Sequence, residues 1–271
     1  MLEYLPVKRA VASAPRGVDW VGQVRTLELA RIRDYLPASG RVLDFGAGAG
    51  QQALRLQELG FEVDAVDLES SPHRETRVFP VRGYDGHTLP FADAHFDIVM
   101  SSNVLEHVDD LSRVLSELAR VLKPDGVMLH ILPSASWRLW TTLAEFPAAP
   151  RNLLRGLRSG PTGGRAQAGM SRLRWTLLQL AWPLRPFTFR PHGSRGNALA
   201  ELWTFRRASW ARRFRSQRLE VLHIRPLRFW YTGEVLLGQR LSLAHRTRIS
   251  AWLGSATILY VVRARSSAAR S

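Results

Sequence analysis

The chain has no cysteine among its 271 residues, which excludes disulfides, cysteine-bound zinc and a cysteine nucleophile. Lysine is nearly missing as well: apart from Lys8 and Lys123, the basic residues are arginine. Long apolar runs are also lacking. The opening MLEYLPVKRA does not contain the continuous apolar core of a signal peptide. The longest apolar-looking run, Ala251–Val262, contains Gly, Ser and Thr and is too short to span a bilayer. These features predict a cytoplasmic protein, with peripheral attachment to the inner membrane face left open. Acidic residues are scarce in one half only. Residues 1–134 hold 14 Lys and Arg against 19 Asp and Glu, a balance of −5, whereas residues 135–271 hold 24 Arg against 4 Glu, a balance of +20. The basic half points to an anionic partner: a phospholipid surface, a phosphorylated substrate or nucleic acid.

What is present is organised around Arg41–Gln51, RVLDFGAGAGQ. Val42, Leu43 and Phe45 read as a buried strand, Gly46, Gly48 and Gly50 as a turn, and Ala53, Leu54, Leu56 and Leu59 as the apolar stripe of a helix. Strand, glycine turn and helix form the plan of a nucleotide-binding βα unit, with free N–H groups at the helix start. The dinucleotide fingerprint fails because Gln51 occupies its sixth position, and the Gly-Lys-Ser/Thr of a phosphate-binding loop is absent. Taken alone, such a turn can also do no more than pack a helix on a sheet. Gly60–Asp67 then alternates apolar and polar residues as a second strand. Asp67 closes it, 23 positions after Asp44, where a carboxylate can accept both hydroxyls of a ribose; a solvated loop aspartate is the alternative.

Five stretches divide the chain. Residues 1–18 read as an arm and 19–134 as a nucleotide-binding core. A basic, aromatic insertion follows at 135–205, then the last helices and strands at 206–263 and a tail at 264–271. Within the core, the pattern predicts a helix over Trp20–Leu36 and a weak third strand over Val78–Val81. A fourth strand falls at Phe96–Met100, a helix at Asp110–Leu122, a turn at Lys123–Gly126 and a fifth strand at Val127–Leu132. Arg218–Leu227 and Ala256–Val262 read as two late strands around a helix over Gly238–Trp252. The expected fold is α/β: a Rossmann-like, seven-stranded, mostly parallel sheet with an antiparallel last strand and a helical basic insertion between strands 5 and 6.

The D-x-G-x-G-x-G run beginning at Asp44 resembles motif I of class I S-adenosylmethionine-dependent methyltransferases. The match continues through Leu89-Pro-Phe91, Phe96-Asp97, Asn103-Val-Leu-Glu-His107, Glu117, Arg120–Gly126 and Pro133-Ser134. Together these look like the methyltransferase type-11 family, similar to the ubiquinone/menaquinone-biosynthesis methyltransferases, over residues 40–134. Asp125 replaces the family's usual second glycine, and Gln51-Gln52 stand where small or hydroxyl residues are commoner. The resemblance implies S-adenosylmethionine as cofactor. It implies that Asp44 and the Gly46, Ala47, Gly48 and Gly50 backbone hold the methionine portion. Asp67 would take the ribose, Leu68 the adenine face, and Asp85 and Gly86 the adenine edge. Asn103 would lie between cofactor and substrate, and no metal ligand is implied.

The insertion holds Met170–Leu184, an apolar segment flanked by Arg172, Arg174, Arg185 and Arg190 and accompanied by Trp175, Trp182, Phe187 and Phe189. That composition suits either a cap helix over the catalytic domain or an amphipathic element in a membrane interface. Methyl transfer needs an aligned nucleophile, and a hydroxyl acceptor gains from a general base; His192, His107 and Glu201 are the candidates. His107 and His192 are equally readable as local packing and surface residues. The function expected is methylation of a small-molecule, glycan or lipid-linked acceptor, by O-methylation. The alternatives are an RNA methyltransferase and a non-catalytic cofactor-binding regulator. Nucleic acid fits less well: strand four ends in Ser-Ser-Asn-Val, not in the Asn/Asp-Pro-Pro-aromatic motif of amino-group methylases, and no RNA-binding module is recognisable.

Overall fold

The computed structural model describes residues 20–159, 191–194, 196–232 and 241–265. Strands β1 (Arg41–Phe45), β2 (Glu62–Leu68), β3 (Arg82–Tyr84), β4 (Phe96–Ser102), β5 (Leu122–Pro133), β6 (Leu219–Pro226) and β7 (Thr257–Ala264) form one seven-stranded sheet in the order β3-β2-β1-β4-β5-β7-β6. Pairings among the first five strands are parallel, and β7 runs antiparallel to both β5 and β6. This is the fold read from the sequence. The chain winds outward from β1 to β3, then returns to β4 beside β1. The carboxyl ends of β1 and β4 therefore flank the crevice where doubly wound sheets bind ligands.

The sheet is covered on both faces, which explains why the central strands β4 and β7 and the later part of β5 are buried almost throughout. Leu43, Phe45, Val99 and Tyr260 pack on one side with α3 (Leu111–Val121) and α6 (Arg207–Ser216), through Leu115, Leu118, Trp210 and Phe214. Val42, Ile98, Leu129 and Leu259 pack on the other with α1 (Trp20–Ile32) and α2 (Gln51–Glu58), through Leu29, Ile32 and Leu56. The Asp110 side chain caps α3 by accepting from Arg113 N at 3.0 Å. After β5 come α4 (Ala135–Ser159) and α5 (Ala198–Thr204), the latter capped by Asn197, whose Oδ1 accepts from Ala200 N at 2.9 Å. Among the described residues one further α-helix, α7 (Leu243–Leu253), precedes β7.

Four local expectations shift. The helix over Trp20–Leu36 ends at Ile32, and a 3₁₀ turn carries the chain through Tyr35. The third strand lies at Arg82–Tyr84 rather than 78–81. Pro80 has no N–H for a ladder, and the preceding residues fold over the glycine turn instead, Val78 N donating to Ala49 O at 2.8 Å. The Lys123–Gly126 turn interrupts β5 from within: Phe96 pairs with Leu122 and Ile98 with Val127, so the intervening residues form an irregularity in the strand. Trp137–Leu143 and Pro147–Leu157 read from the sequence as separate pieces of the insertion, but they belong to one 25-residue helix, α4. Met170–Leu184 and both chain-terminal stretches, 1–18 and 266–271, lie outside the described residues. Among the described residues no helix is long and apolar enough to cross a membrane.

His130 sits fully buried at the centre of the sheet, hydrogen-bonded to Ser101 Oγ at 2.8 Å and stacked on Phe214 at 5.4 Å. Burial pushes its imidazole down from 6.5 to about 3. The folded chain therefore keeps His130 neutral at pH values where the unfolded chain protonates it. Stability should fall as pH drops below about 6.5, by up to about 1.4 kcal/mol per pH unit from this residue. Urea unfolding between pH 7 and 4.5 should show a shallower slope for His130→Leu than for the parent; equal slopes would mean that His130 is protonated while folded.

Candidate cofactor site

The glycine turn leaves β1 and is tied to the neighbouring strand, because Gly46 N and Ala47 N both donate to Val66 O, at 2.9 and 3.0 Å. At Gly50 the backbone is left-handed, with φ at 80°, and an added Cβ would lie 2.6 Å from Phe79 Cβ. Gly48 is also left-handed, with φ at 56°, but the nearest atom to an added Cβ belongs to the His73 ring at 3.5 Å. One glycine is thus needed for packing beneath the turn. The other opens the turn towards a cavity of about 780 Å³ at the carboxyl ends of β1, β2 and β4.

Asp67, at the end of β2, faces this cavity. Its Oδ2 accepts from Gly48 N and from Ser71 Oγ, both at 2.9 Å, and its Oδ1 accepts from Leu68 N at 2.8 Å. A carboxylate has about four lone-pair sites, so one site, on Oδ1, remains for a ligand's hydroxyl. Leu68, Tyr84, Gln51, Gln52 and Asn103 also line the cavity. Asn103 adopts φ of 53° directly after β4, a conformation asparagine tolerates better than most residues and one often found at functional sites.

Three sequence-predicted residues stand off the cavity wall. Asp44 is 1% exposed beneath the turn, accepts from the backbone N–H of Ala53 near the start of α2, and leaves Oδ2 without a partner. Burial pushes its carboxyl up to about 7. Asp85 is exposed and occupied with a local turn, accepting from His87 N at 2.7 Å and Thr88 N at 3.0 Å. Gly86 lies against the Leu68 side chain at the rim.

The three catalytic candidates come together. His107 is in the cavity wall. His192 lies behind it, with ring centroids 4.8 Å apart, and packs on Trp137 at 4.6 Å. Burial lowers both imidazole pKa values, that of His192 to about 4. Glu201 is 1% exposed and fully engaged: Oε1 accepts from His192 N and Gly193 N, each at 2.7 Å, and Oε2 pairs with Arg138 at 3.0 Å. It holds the His192 loop in place and does not face the cavity.

A methyltransferase-domain family model matches residues 23–224. The chain belongs to the S-adenosylmethionine-dependent methyltransferases. It is 30% identical over 194 residues to malonyl-[acyl-carrier protein] O-methyltransferase of Enterobacter lignolyticus, covering 55% of this chain and 77% of that one. An uncharacterised methyltransferase of Bacillus subtilis is 42% identical over 103 residues, covering 35% and 41%. A chain of the solved complex between the Haloferax volcanii Trm112 methyltransferase activator and a methyltransferase matches with a TM-score of 0.51 at 16% identity, covering 89% of both chains; that likeness concerns the fold.

Two features of this methyltransferase's site escape the sequence reading. Arg25, on α1 among the apolar positions Val24, Leu27 and Leu29, lines the cavity; its Nη1 donates to Glu28 Oε2 and Ser102 Oγ, both at 2.7 Å. Glu28 also accepts from Thr257 Oγ1 at 3.0 Å, so one polar network joins α1 to β4 and β7. An opposite-charge pair three residues apart among apolar positions was the available signal. The other is Glu106, 7% exposed, with burial raising its carboxyl to about 8. A cavity of about 760 Å³ at the opposite, amino-terminal end of β4 and β5 is lined by Asp97 and Lys123. These two are already paired at 2.8 Å, far from the glycine turn.

The packing difference within the turn predicts unequal costs. Gly50→Ala should lose about 2–4 kcal/mol in urea unfolding, from left-handed strain plus the clash with Phe79. Gly48→Ala should lose about 1–2 kcal/mol, from strain alone. The reverse ranking would mean that Phe79 does not pack under the turn.

Proposed function

We propose that this methyltransferase transfers the methyl group to an oxygen of a small-molecule acceptor, free or carried on a lipid, glycan or acyl carrier. The observation carrying the reading is that His107 lines the cofactor cavity, with His192 packed against it and Glu106 beside both. Imidazoles at that wall support a reading in which an acceptor oxygen is oriented and relieved of its proton. The Enterobacter relative is named as an O-methyltransferase, which supports oxygen as the acceptor atom. The +20 balance of residues 135–271 supports an acceptor bearing phosphate or carboxylate. Docking at the cytoplasmic membrane surface follows where that acceptor is a lipid.

When bound, S-adenosylmethionine supplies a methyl group on a positively charged sulfur. The residues present suit it. Asp67 retains one site for a ribose hydroxyl, and Leu68 would flank the adenine, with Asp85 and Gly86 at its edge. The backbone of Gly46, Ala47, Gly48 and Gly50 forms a seat for the methionine portion, and Asp44, with an orphaned oxygen, sets a negative charge beneath it. Asn103 would bridge cofactor and acceptor. His107 and His192 orient the acceptor oxygen and manage its proton, and Glu201 is a positioning residue for His192. Residues 135–205, which contribute Trp137, His192 and Glu201, serve as the acceptor-facing cap on the 19–134 core, which the 206–263 stretch completes. Alignment of oxygen, methyl carbon and sulfur then supplies most of the rate.

Calorimetry with Asp67→Ala should show S-adenosylmethionine binding weakened by about ten- to a hundredfold, the usual effect of losing hydrogen bonds to a charged group; parent-like affinity would remove Asp67 from the cofactor site. With methyl-labelled cofactor, label should enter lipid, glycan or acyl-carrier fractions of a cell extract, and label confined to RNA would overturn the acceptor reading.

Asp44 gives the cofactor site a pH dependence. Its carboxyl is neutral below about 7 and ionised above, and only the ionised form attracts a cationic ligand. Affinity for S-adenosylmethionine should therefore rise with pH up to about 7, by at most about tenfold per unit, and level off above. Asp44→Asn should flatten this profile, and a variant that keeps the parent's pH profile would assign the dependence to another group.

A further inference from the structure

The Glu106 side chain is 0% exposed, and neither of its carboxylate oxygens accepts a hydrogen bond. The neighbouring guanidinium groups are directed to other carboxylates: Arg25 Nη1 to Glu28, and Arg138 to Glu201. What faces Glu106 is a pair of imidazoles. His107 Nε2 lies 3.8 Å and His192 Nε2 3.9 Å from Glu106 Oε1. These separations are too long for direct hydrogen bonds. They match the spacing of atoms that share a cation: one ligand atom from each residue lies within 4.8 Å of the others. Bonds of about 2.0–2.2 Å put two ligands of one ion roughly 3–4 Å apart. Small rotations of the two partly exposed rings close the remaining gap.

We propose that Glu106, His107 and His192 bind one divalent transition-metal cation beside the cofactor cavity, where His107 forms part of its wall. The inference rests on reading this cluster as the acceptor end of the site. Two imidazoles and one carboxylate suit zinc, iron, cobalt or manganese better than magnesium or calcium, which favour all-oxygen ligand sets. Three protein ligands leave coordination positions open, as catalytic sites do. The open positions would take oxygen, so the acceptor class is one with a hydroxyl or carboxyl group, best with a second oxygen close enough to chelate. Bound there, the acceptor oxygen loses its proton to water more readily. Its lone pair forms the O–C bond to the methyl carbon while the C–S bond breaks, and that bond's electrons pass to sulfur and cancel the sulfonium charge.

The main chain fixes the three ligands relative to one another. Glu106 and His107 lie in the turn after β4, and His192 comes from the end of the insertion. The two segments are joined by Ser194 N donating to Glu106 O at 3.0 Å. An added Cβ on Gly193 would collide with Glu106 O, so glycine permits the close approach. Glu201 holds the same loop from the other side through the N–H groups of His192 and Gly193.

The test uses the full chain, stripped with a chelator and titrated calorimetrically with zinc and manganese, with cobalt added separately to read visible absorption. The expected result is one cation per chain, cobalt bands typical of nitrogen and oxygen ligation, and at least a tenfold loss of affinity in both His192→Gln and Glu106→Gln. His245→Gln, which alters an exposed histidine outside the cluster, should bind as the parent does. S-adenosylmethionine binding measured on the same variants verifies that each is folded. Absence of stoichiometric metal binding, or binding that neither variant weakens, overturns the inference; retained cofactor binding in that case leaves the cofactor site standing. Loss of metal and cofactor binding together in the parent overturns both.

Discussion

The Asp67 carboxylate is the contact on which the site depends. With Gly48, Leu68 and Ser71 as donors, it holds the glycine turn against the end of β2 before any ligand arrives. A left-handed turn costs conformational freedom, and this one is kept by that carboxylate together with the Val66 carbonyl, which receives Gly46 and Ala47. The floor of the cavity is therefore preorganised. A ligand's hydroxyl group would enter an existing hydrogen-bond arrangement rather than order a loop, which limits the entropic cost of binding.

Polarity is distributed unevenly around that floor. Near the glycine turn two buried polar atoms are left unpaired, Asp44 Oδ2 and Gln52 Nε2. Beside His107 and His192, Glu106 carries two oxygens without hydrogen bonds, while Glu201, a few residues from His192, is held by two amides and an ion pair with Arg138. Two buried glutamates of similar burial thus have opposite situations: one fixes a loop, the other is left with unused ligating capacity. That contrast separates scaffold from chemistry more clearly than residue type does.

The βα pattern, the strand count and the antiparallel last strand were legible because they rest on local periodicity and turn chemistry. The sites of disagreement were those where a distant partner decides. Pro80 and Phe79 were drawn onto the glycine turn, so the third strand began at Arg82. The Lys123–Gly126 turn became an irregularity within β5 because β4 continues to pair on both sides of it. At the site, the glycine turn is readable as a contiguous run and Asp67 as the end of the strand that follows it. Glu106 could not be given a role, since its meaning depends on His192, 86 positions away. Arg25 was hidden for a similar reason: its partner Ser102 belongs to another strand, and only its place beside Glu28 among apolar positions betrays it.

The placement of β7 links synthesis to assembly. This strand is made after β6 yet stands between β5 and β6, so during translation β5 presents an open edge until β7 is complete. Thr257, which closes the sheet beside Pro133, also anchors Glu28 through a 3.0 Å hydrogen bond, and Glu28 in turn holds Arg25 at the cavity wall. The nascent chain can build the glycine turn early from sequence neighbours. The wall that closes over it waits for residues more than 200 positions further on, a long-range closure that ought to make this the slow event in folding.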